Sequence, residues 1–83
     1  MDGTNEIVER VGWLTPNGCR LTRRERDVVQ LLKDGRSNKE IAQALNTTER
    51  TVKFHVSNLL EKHGARSRLD IAVMYARLEG ERK

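Results

Sequence analysis

Three segments of the chain read LTRRE at residues 21–25, SNKEIA at 37–42 and TVKFHV at 51–56. The first two each open with a hydroxyl residue that a glutamate follows three positions later, which is the pattern of a helix capping box. The third follows a pair of threonines, either of which can cap a helix, and starts an apolar repeat of helical period. This spacing predicts several helices joined by tight turns, and therefore an all-α fold.

Glycine and asparagine mark the ends of the predicted helices, because both residues tolerate the left-handed conformation that closes a helix. The four helices are expected over about residues 22–34, 37–46, 48–63 and 67–79, with Gly80 ending the last. The segment 1–20 is interpreted as an N-terminal arm or linker, since Pro16, Asn17 and Gly18 break its apolar pattern. The expected organisation is an arm over 1–20, a domain over 21–80 and a tail over 81–83.

Length and composition exclude several classes of protein. A chain of 83 residues forms one small domain, and 36% hydrophobic with 34% charged residues suits a folded domain rather than a disordered chain. The single Cys19 excludes an intramolecular disulfide, and with only His55 and His63 beside it no zinc-finger spacing arises. Without an apolar run of about 20 residues or a signal segment, no membrane association and a cytoplasmic location are expected.

Nothing in the chain resembles an active site. It contains no nucleophile elbow, no phosphate-binding loop and no metal-ligand set. So small a domain also leaves little room for an enclosed substrate pocket. We therefore expect a protein that is not an enzyme and that needs no cofactor or metal.

The positive charge is concentrated in the middle of the chain. Residues 20–69 contain 12 Lys and Arg against 6 Asp and Glu, whereas residues 1–19 are net acidic. A basic helical region suits a polyanionic partner such as nucleic acid, although charge alone is equally consistent with a solvated surface. The short second helix, tight turn and longer third helix match a helix-turn-helix, which presents its second helix to the major groove of duplex DNA.

The exposed face of the third helix supplies the candidate base-reading residues. Lys53 can donate to guanine or to a phosphate, and Phe54 can contact a thymine methyl group. Ser57 lies on the same face one turn later. For Phe54, packing beneath the N-terminal arm is the alternative.

Candidate phosphate contacts lie at the starts of the second and third helices, where unpaired backbone N–H groups and the helix dipole favour anions. Ser37 and Thr48 cap these helices whether or not they also contact phosphate. His55 and Asn58 contact phosphate in one interpretation and form hydrogen bonds inside the domain in the other, while His63 is expected in the core or at a helix C-terminus. The candidate phosphate-binding residues are Ser37, Asn38, Lys39, Thr48, Arg50, Thr51, His55 and Asn58.

The fourth helix carries more apolar residues than one buried face requires. A helix with a single buried face needs an apolar stripe of only about 100°. The apolar surplus here predicts a homodimer interface on this helix. The residues assigned to that interface are Ile71, Val73, Met74 and Arg77.

Together these segments resemble the LuxR/FixJ/NarL-type DNA-binding domain, a four-helix module also found in GerE-type regulators. The resemblance covers about residues 21–80, with Arg23 where the family usually has proline. Its marks are Leu21-Thr22-x-Arg24-Glu25, Gly35-x-Ser37-Asn38-Lys39-Glu40-Ile41-Ala42, Leu45, Thr51-Val52-Lys53-x-His55, Asn58, Lys62, Gly64 and Ser67-Arg68.

The resemblance implies a bacterial transcription regulator that binds promoter DNA as a dimer, with the third helix in the major groove and the fourth at the dimer contact. Family members often contact bases from the positions held here by Lys53, Phe54 and Ser57, and RNA polymerase is a further expected partner. The chain is then either a stand-alone regulator or the output domain of a larger response regulator. The alternatives are a protein-interaction module of this fold that no longer binds DNA and, with less support, a promoter reader like a polymerase sigma factor.

Overall fold

The computed structural model describes residues 14–81, with side chains described through residue 78. Most of the predicted arm, including Trp13, and the end of the tail lie outside this range. The regular elements between residues 14 and 81 are four helices: α1 Arg23–Lys33, α2 Asn38–Leu45, α3 Glu49–His63 and α4 Arg68–Glu81. The predicted all-α, four-helix fold is confirmed.

Local side-chain hydrogen bonds start the first three helices as the sequence pattern predicts. The Thr22 hydroxyl accepts from the Glu25 backbone N–H at 3.1 Å, and the Glu25 carboxylate accepts from the Thr22 N–H at 2.9 Å. Ser37 and Glu40 form a second capping box with the same two distances. Thr48, rather than Thr47, caps α3 through the Thr51 N–H. Each cap satisfies N–H groups that have no partner inside the helix.

Left-handed residues end these helices. Asn46 at φ 56° and ψ 50° closes α2, and Gly64 at φ 62° closes α3. Gly35, at φ 78°, follows the end of α1. The predicted end of α4 at Gly80 is wrong, because the helix continues to Glu81. A glycine inside a helix costs about 1 kcal/mol relative to alanine, which is too little to end a helix by itself.

The four helices share one core. The fully buried side chains come from every helix, so no helix is an appendage. The core consists of Leu21, Val28, Val29, Leu32, Ile41, Ala42, Val52, Val56, Leu59 and Ile71. Burying a side chain of this size contributes about 1.5–3 kcal/mol, and the shared core therefore holds the helices at fixed relative positions.

Part of the predicted arm is folded as a tight turn. An antiparallel bridge joins Leu14 to Arg20, and the Thr15 N–H donates to the Cys19 carbonyl at 2.7 Å. Thr15 is buried, its hydroxyl donates to the Asn17 side chain, and the Cys19 N–H donates back to that hydroxyl at 2.8 Å. The Pro-Asn-Gly turn thus lies within the structured part of the chain, while the domain boundary at residue 20 stays a prediction.

Candidate nucleic-acid interface

A short helix, a three-residue turn and a longer helix form the centre of the candidate site. The turn from Asn46 to Thr48 connects the two helices within three residues, since Asn46 adopts the left-handed conformation and Thr48 caps the next helix. Ile41 and Ala42 of α2 are buried in the same core as Val52 of α3. This packing makes α2 a brace for α3.

Helix α3 buries one face and exposes the other. Its buried side chains are Val52, Val56, Leu59 and His63, spaced for one face of a helix. Lys53, Phe54 and Ser57 are exposed, and Phe54 keeps 64% of its surface in solvent. No described residue forms a hydrogen bond or an ion pair with Lys53. The three predicted base-reading residues therefore lie together on an exposed face, within about 6 Å, or roughly one turn, along the helix axis.

The start of α2 places three of the predicted phosphate contacts side by side. The Ser37 hydroxyl is already engaged as a cap, and Lys39 is exposed. Asn38 is half-buried, and its side-chain oxygen accepts a hydrogen bond from the Arg68 guanidinium at 2.6 Å. The capping bonds from Ser37 hold the pKa of Glu40 below its usual range, so a carboxylate also stands at this helix start.

The start of α3 places the next three phosphate candidates on one turn. The Thr48 hydroxyl accepts from the Thr51 N–H and donates to the Thr51 hydroxyl at 3.0 Å. The Thr48 hydroxyl is then engaged both as an acceptor and as a donor, whereas the hydroxyl proton of Thr51 is available to an acceptor. Arg50 is exposed, and no described residue pairs with its guanidinium.

His55 and Asn58 occupy the flank of α3. Both are half-buried, and the ring of His55 lies edge-on to Phe54 with 5.9 Å between centroids. No described side chain or backbone group forms a hydrogen bond with the side chain of His55 or of Asn58. The described residues therefore offer no partner for the alternative in which these side chains form hydrogen bonds inside the domain. The phosphate role of both residues stays a prediction.

His63 lies in the core, as predicted. One ring nitrogen lies 2.7 Å from the Leu59 carbonyl and the other 2.8 Å from the Tyr75 hydroxyl. Burial lowers the pKa of His63 and raises the pKa of Tyr75 to about 12. This pair joins the end of α3 to α4 and leaves His63 unavailable to DNA.

The structure corrects one residue of the predicted dimer interface. Ile71 has no exposed surface because it packs in the core of its own chain, so its side chain cannot contact a partner. Val73 and Arg77 are exposed and Met74 is half-buried. Leu69, 67% exposed and one turn before Val73, was missed by the sequence assignment. Helical spacing from Val73 would have included it.

Two long-range contacts of basic residues also escaped the sequence assignment. The Lys62 ammonium lies 2.6 Å from the Glu25 carboxylate and donates to the Arg20 carbonyl at 3.0 Å. Arg68 donates to Asn38 and to the Arg36 carbonyl, each at 2.6 Å. Lys62 and Arg68 both belong to the quoted motif, but nothing in the local pattern identifies their partners 30 or more residues away.

Known proteins resemble this chain over the helical region that contains the candidate site. The family model described as "Bacterial regulatory proteins, luxR family" matches residues 20–75. The nitrate/nitrite response regulator protein NarP of Escherichia coli is 47% identical over 60 residues, covering 72% of this chain and 28% of NarP. The spore germination protein GerE of Bacillus subtilis is 41% identical over 58 residues, covering 70% of this chain and 78% of GerE.

The chain belongs to the luxR family of bacterial regulatory proteins, and its class is that of the helix-turn-helix domain of DNA-binding transcription regulators. It spans less than a third of NarP and of the uncharacterized transcriptional regulatory protein YhcZ of Bacillus subtilis, which is 51% identical over 63 residues.

No helix in the described part of the chain is both long and apolar enough to cross a bilayer. Among residues 14–78, no three His, Cys, Asp or Glu side chains are grouped so that they can hold a metal ion.

Proposed function

We propose that this domain binds specific sequences of duplex DNA and thereby regulates transcription, with α3 inserted in the major groove. The observation that carries the proposal is the two-faced character of α3. One face packs into the core through Val52, Val56 and Leu59, and the other presents Lys53, Phe54 and Ser57 to solvent. A helix fixed in this way has the width that the major groove accepts.

Electrostatic attraction brings the two molecules together. The region 20–69 has twice as many basic as acidic residues, and Arg50 and Lys53 project from α3 itself. Neutralising phosphates with such side chains releases counterions, so the affinity is expected to fall steeply with salt concentration. This attraction is independent of base sequence.

Phosphate contacts at the two helix starts then set the orientation. In the proposed complex, Lys39 and the Asn38 amide hold one phosphate region, while Arg50 and the Thr51 hydroxyl hold another. The backbone N–H groups beside Ser37 and Thr48 add to both sites. His55 and Asn58 extend the contacts along the flank of α3. Such contacts position a protein on DNA without reading its sequence.

Base reading falls to the exposed face of α3. The Lys53 ammonium donates to the O6 and N7 acceptors of guanine, and the Phe54 ring contacts a thymine methyl group. Ser57 donates or accepts one turn further along the groove. The exposed Phe54 supports this role, since a large apolar side chain on a solvated helix face is typical of a contact surface.

A second copy of the domain completes the proposed complex. Leu69, Val73 and Arg77 form an exposed face on α4, which we propose as the homodimer contact with Met74 at its edge. Two copies would read a roughly palindromic site. The complex would act on RNA polymerase in the cytoplasm, through binding and without catalysis, either as a stand-alone regulator or as the output domain of a response regulator.

A selection of the domain against random duplexes tests the proposal. Enrichment of one motif, with two related half-sites, is the expected result. A pool without enrichment would contradict DNA reading and favour the protein-interaction alternative.

Lys53→Ala then tests the assigned face on the selected duplex. Losing one base contact should weaken specific binding by about 1–3 kcal/mol. Arg24→Ala is the control, because it also removes one positive charge from an exposed position. Arg24 lies on α1 next to Glu25, whose carboxylate pairs with Lys62 near the C-terminal end of α3. Lys62, which marks that end of α3, lies about 14 Å from Lys53 along the helix axis. This separation exceeds the Debye length of about 8 Å in physiological salt. Equal effects of the two substitutions would contradict base reading by Lys53.

A further inference from the structure

Arg68 fastens the start of α4 to the start of α2. One guanidinium nitrogen donates to the side-chain oxygen of Asn38 at 2.6 Å, and another donates to the backbone carbonyl of Arg36 at 2.6 Å. Hydrogen bonds from a charged donor are short and roughly twice as strong as neutral ones. These two bonds fix both the chain entering α2 and the first side chain of that helix.

The bond from Arg68 determines which end of the Asn38 amide points away from Arg68. An asparagine side chain has an acceptor end, the oxygen, and a donor end, the NH₂ group. A guanidinium has donors only, so the oxygen must face Arg68 and the NH₂ group must point away from it. No described residue accepts a hydrogen bond from that NH₂ group.

The orientation matters because phosphate oxygens are acceptors only. An NH₂ group that points outward attracts a phosphate, while an outward oxygen repels it. Asn38 is also the first residue of α2, so its backbone N–H has no partner within the helix. With the NH₂ group outward, the side chain and the backbone of Asn38 both present donors at one helix start.

We propose that Arg68 is a positioning residue for DNA binding: its fork holds the Asn38 amide with the NH₂ group toward the DNA phosphate. The inference rests on the proposed function, because the phosphate belongs to the bound DNA. It assigns no contact between Arg68 and a base. It also connects α4, the helix of the proposed dimer contact, with a phosphate site on α2. Arg68 therefore acts through Asn38 rather than as one more positive charge.

Arg68→Lys separates positioning from charge. Lysine keeps the positive charge but replaces the planar fork with a single ammonium, which cannot reproduce both bonds in their fixed geometry. If Arg68 contributed charge alone, Arg68→Lys would bind as tightly as the wild type. With positioning lost, affinity for the selected duplex should fall about tenfold, the loss expected for one hydrogen bond to a charged group.

A double-mutant cycle shows whether the effect passes through Asn38. Fluorescence anisotropy on the selected duplex would compare wild type, Arg68→Lys, Asn38→Ala and the double variant, at a temperature where thermal melting shows all four folded. We expect the double variant to bind within about twofold of Asn38→Ala alone. Independent losses that multiply in the double variant would overturn the inference, as would wild-type affinity of Arg68→Lys.

The Asn38 side-chain amide offers a second readout. In ¹H–¹⁵N spectra of the wild type, its NH₂ signals should shift when the selected duplex is added, and in Arg68→Lys they should shift less. Unchanged wild-type NH₂ signals on a bound duplex would overturn the inference while the proposed function stands. A wild-type domain that enriches no duplex would instead contradict the proposed function itself.

Discussion

Removing Lys62, the partner of the buried Glu25 carboxylate, is expected to cost this small domain a few kilocalories per mole, and Lys62→Met tests that value. Glu25 is 5% exposed, and one of its oxygens accepts both the Lys62 ammonium at 2.6 Å and the Thr22 N–H at 2.9 Å. Methionine keeps most of the length of the lysine side chain but not its charge. The substitution therefore leaves a buried carboxylate with its capping bond alone.

Two physical limits set the magnitude. Removing one partner of a buried pair costs about 3–5 kcal/mol, and the 32% exposure of the Lys62 side chain reduces that figure. The orphaned carboxylate can instead bind a proton, which at pH 7 costs about 3.7 kcal/mol for an ordinary glutamate pKa of about 4.3. We expect a loss of about 2–3.5 kcal/mol in the free energy of unfolding at pH 7.

The loss should depend on pH in a defined direction. Hydrogen bonds from Lys62 and Thr22 hold the pKa of Glu25 below its usual range against the opposing effect of burial. In the wild type the pair therefore stabilises the fold fully above the unfolded-state pKa, and this contribution is lost as the pH falls through the folded-state pKa. In Lys62→Met the pKa of Glu25 rises, so acid relieves the penalty. The difference between the two proteins should shrink to below about 1.5 kcal/mol at pH 4.

Urea denaturation at pH 7 and pH 4 measures both values. With an m value of about 1 kcal/mol/M for a domain of this size, the midpoint should fall by about 2–3.5 M at pH 7. Glu25→Gln combined with Lys62→Met is the control, because glutamine keeps the capping box without the buried charge. An equal loss of free energy in Lys62→Met at both pH values, or a double variant as unstable as the single one, would contradict a penalty from the unpaired buried carboxylate.

Two further predictions follow from other buried and exposed groups. Burial lowers the pKa of His63, so the wild type should lose stability as the pH falls from about 6.5 through the folded-state pKa. His63→Gln should flatten that part of a plot of the urea midpoint against pH. An unchanged slope in the variant would contradict this role of His63. Val73→Glu should reduce dimer formation on the selected duplex in sedimentation experiments, while the exposed Gln30→Glu on α1 should not; equal dimer in both variants would contradict the proposed contact on α4.

Features that depend on a few neighbouring residues were predictable from the sequence. The capping boxes at Thr22 and Ser37 and the left-handed closures at Asn46 and Gly64 lie within four residues of the groups they satisfy. The faces of α3 were predictable for the same reason, since helical period alone separates Val52 from Lys53. The end of α4 was not, because no strong local signal stops that helix.

Only the tertiary structure determined which surfaces of the helices meet. The apolar residues on α4 look alike in sequence, yet Ile71 is buried in its own core and Leu69 is exposed, because only one side of α4 packs on the other helices. The bonds of Lys62 to Glu25 and of Arg68 to Asn38 join residues 37 and 30 positions apart. Helical period assigns a residue to a face, but the choice of the face that packs, and of the partner it meets, depends on the three-dimensional arrangement of all four helices.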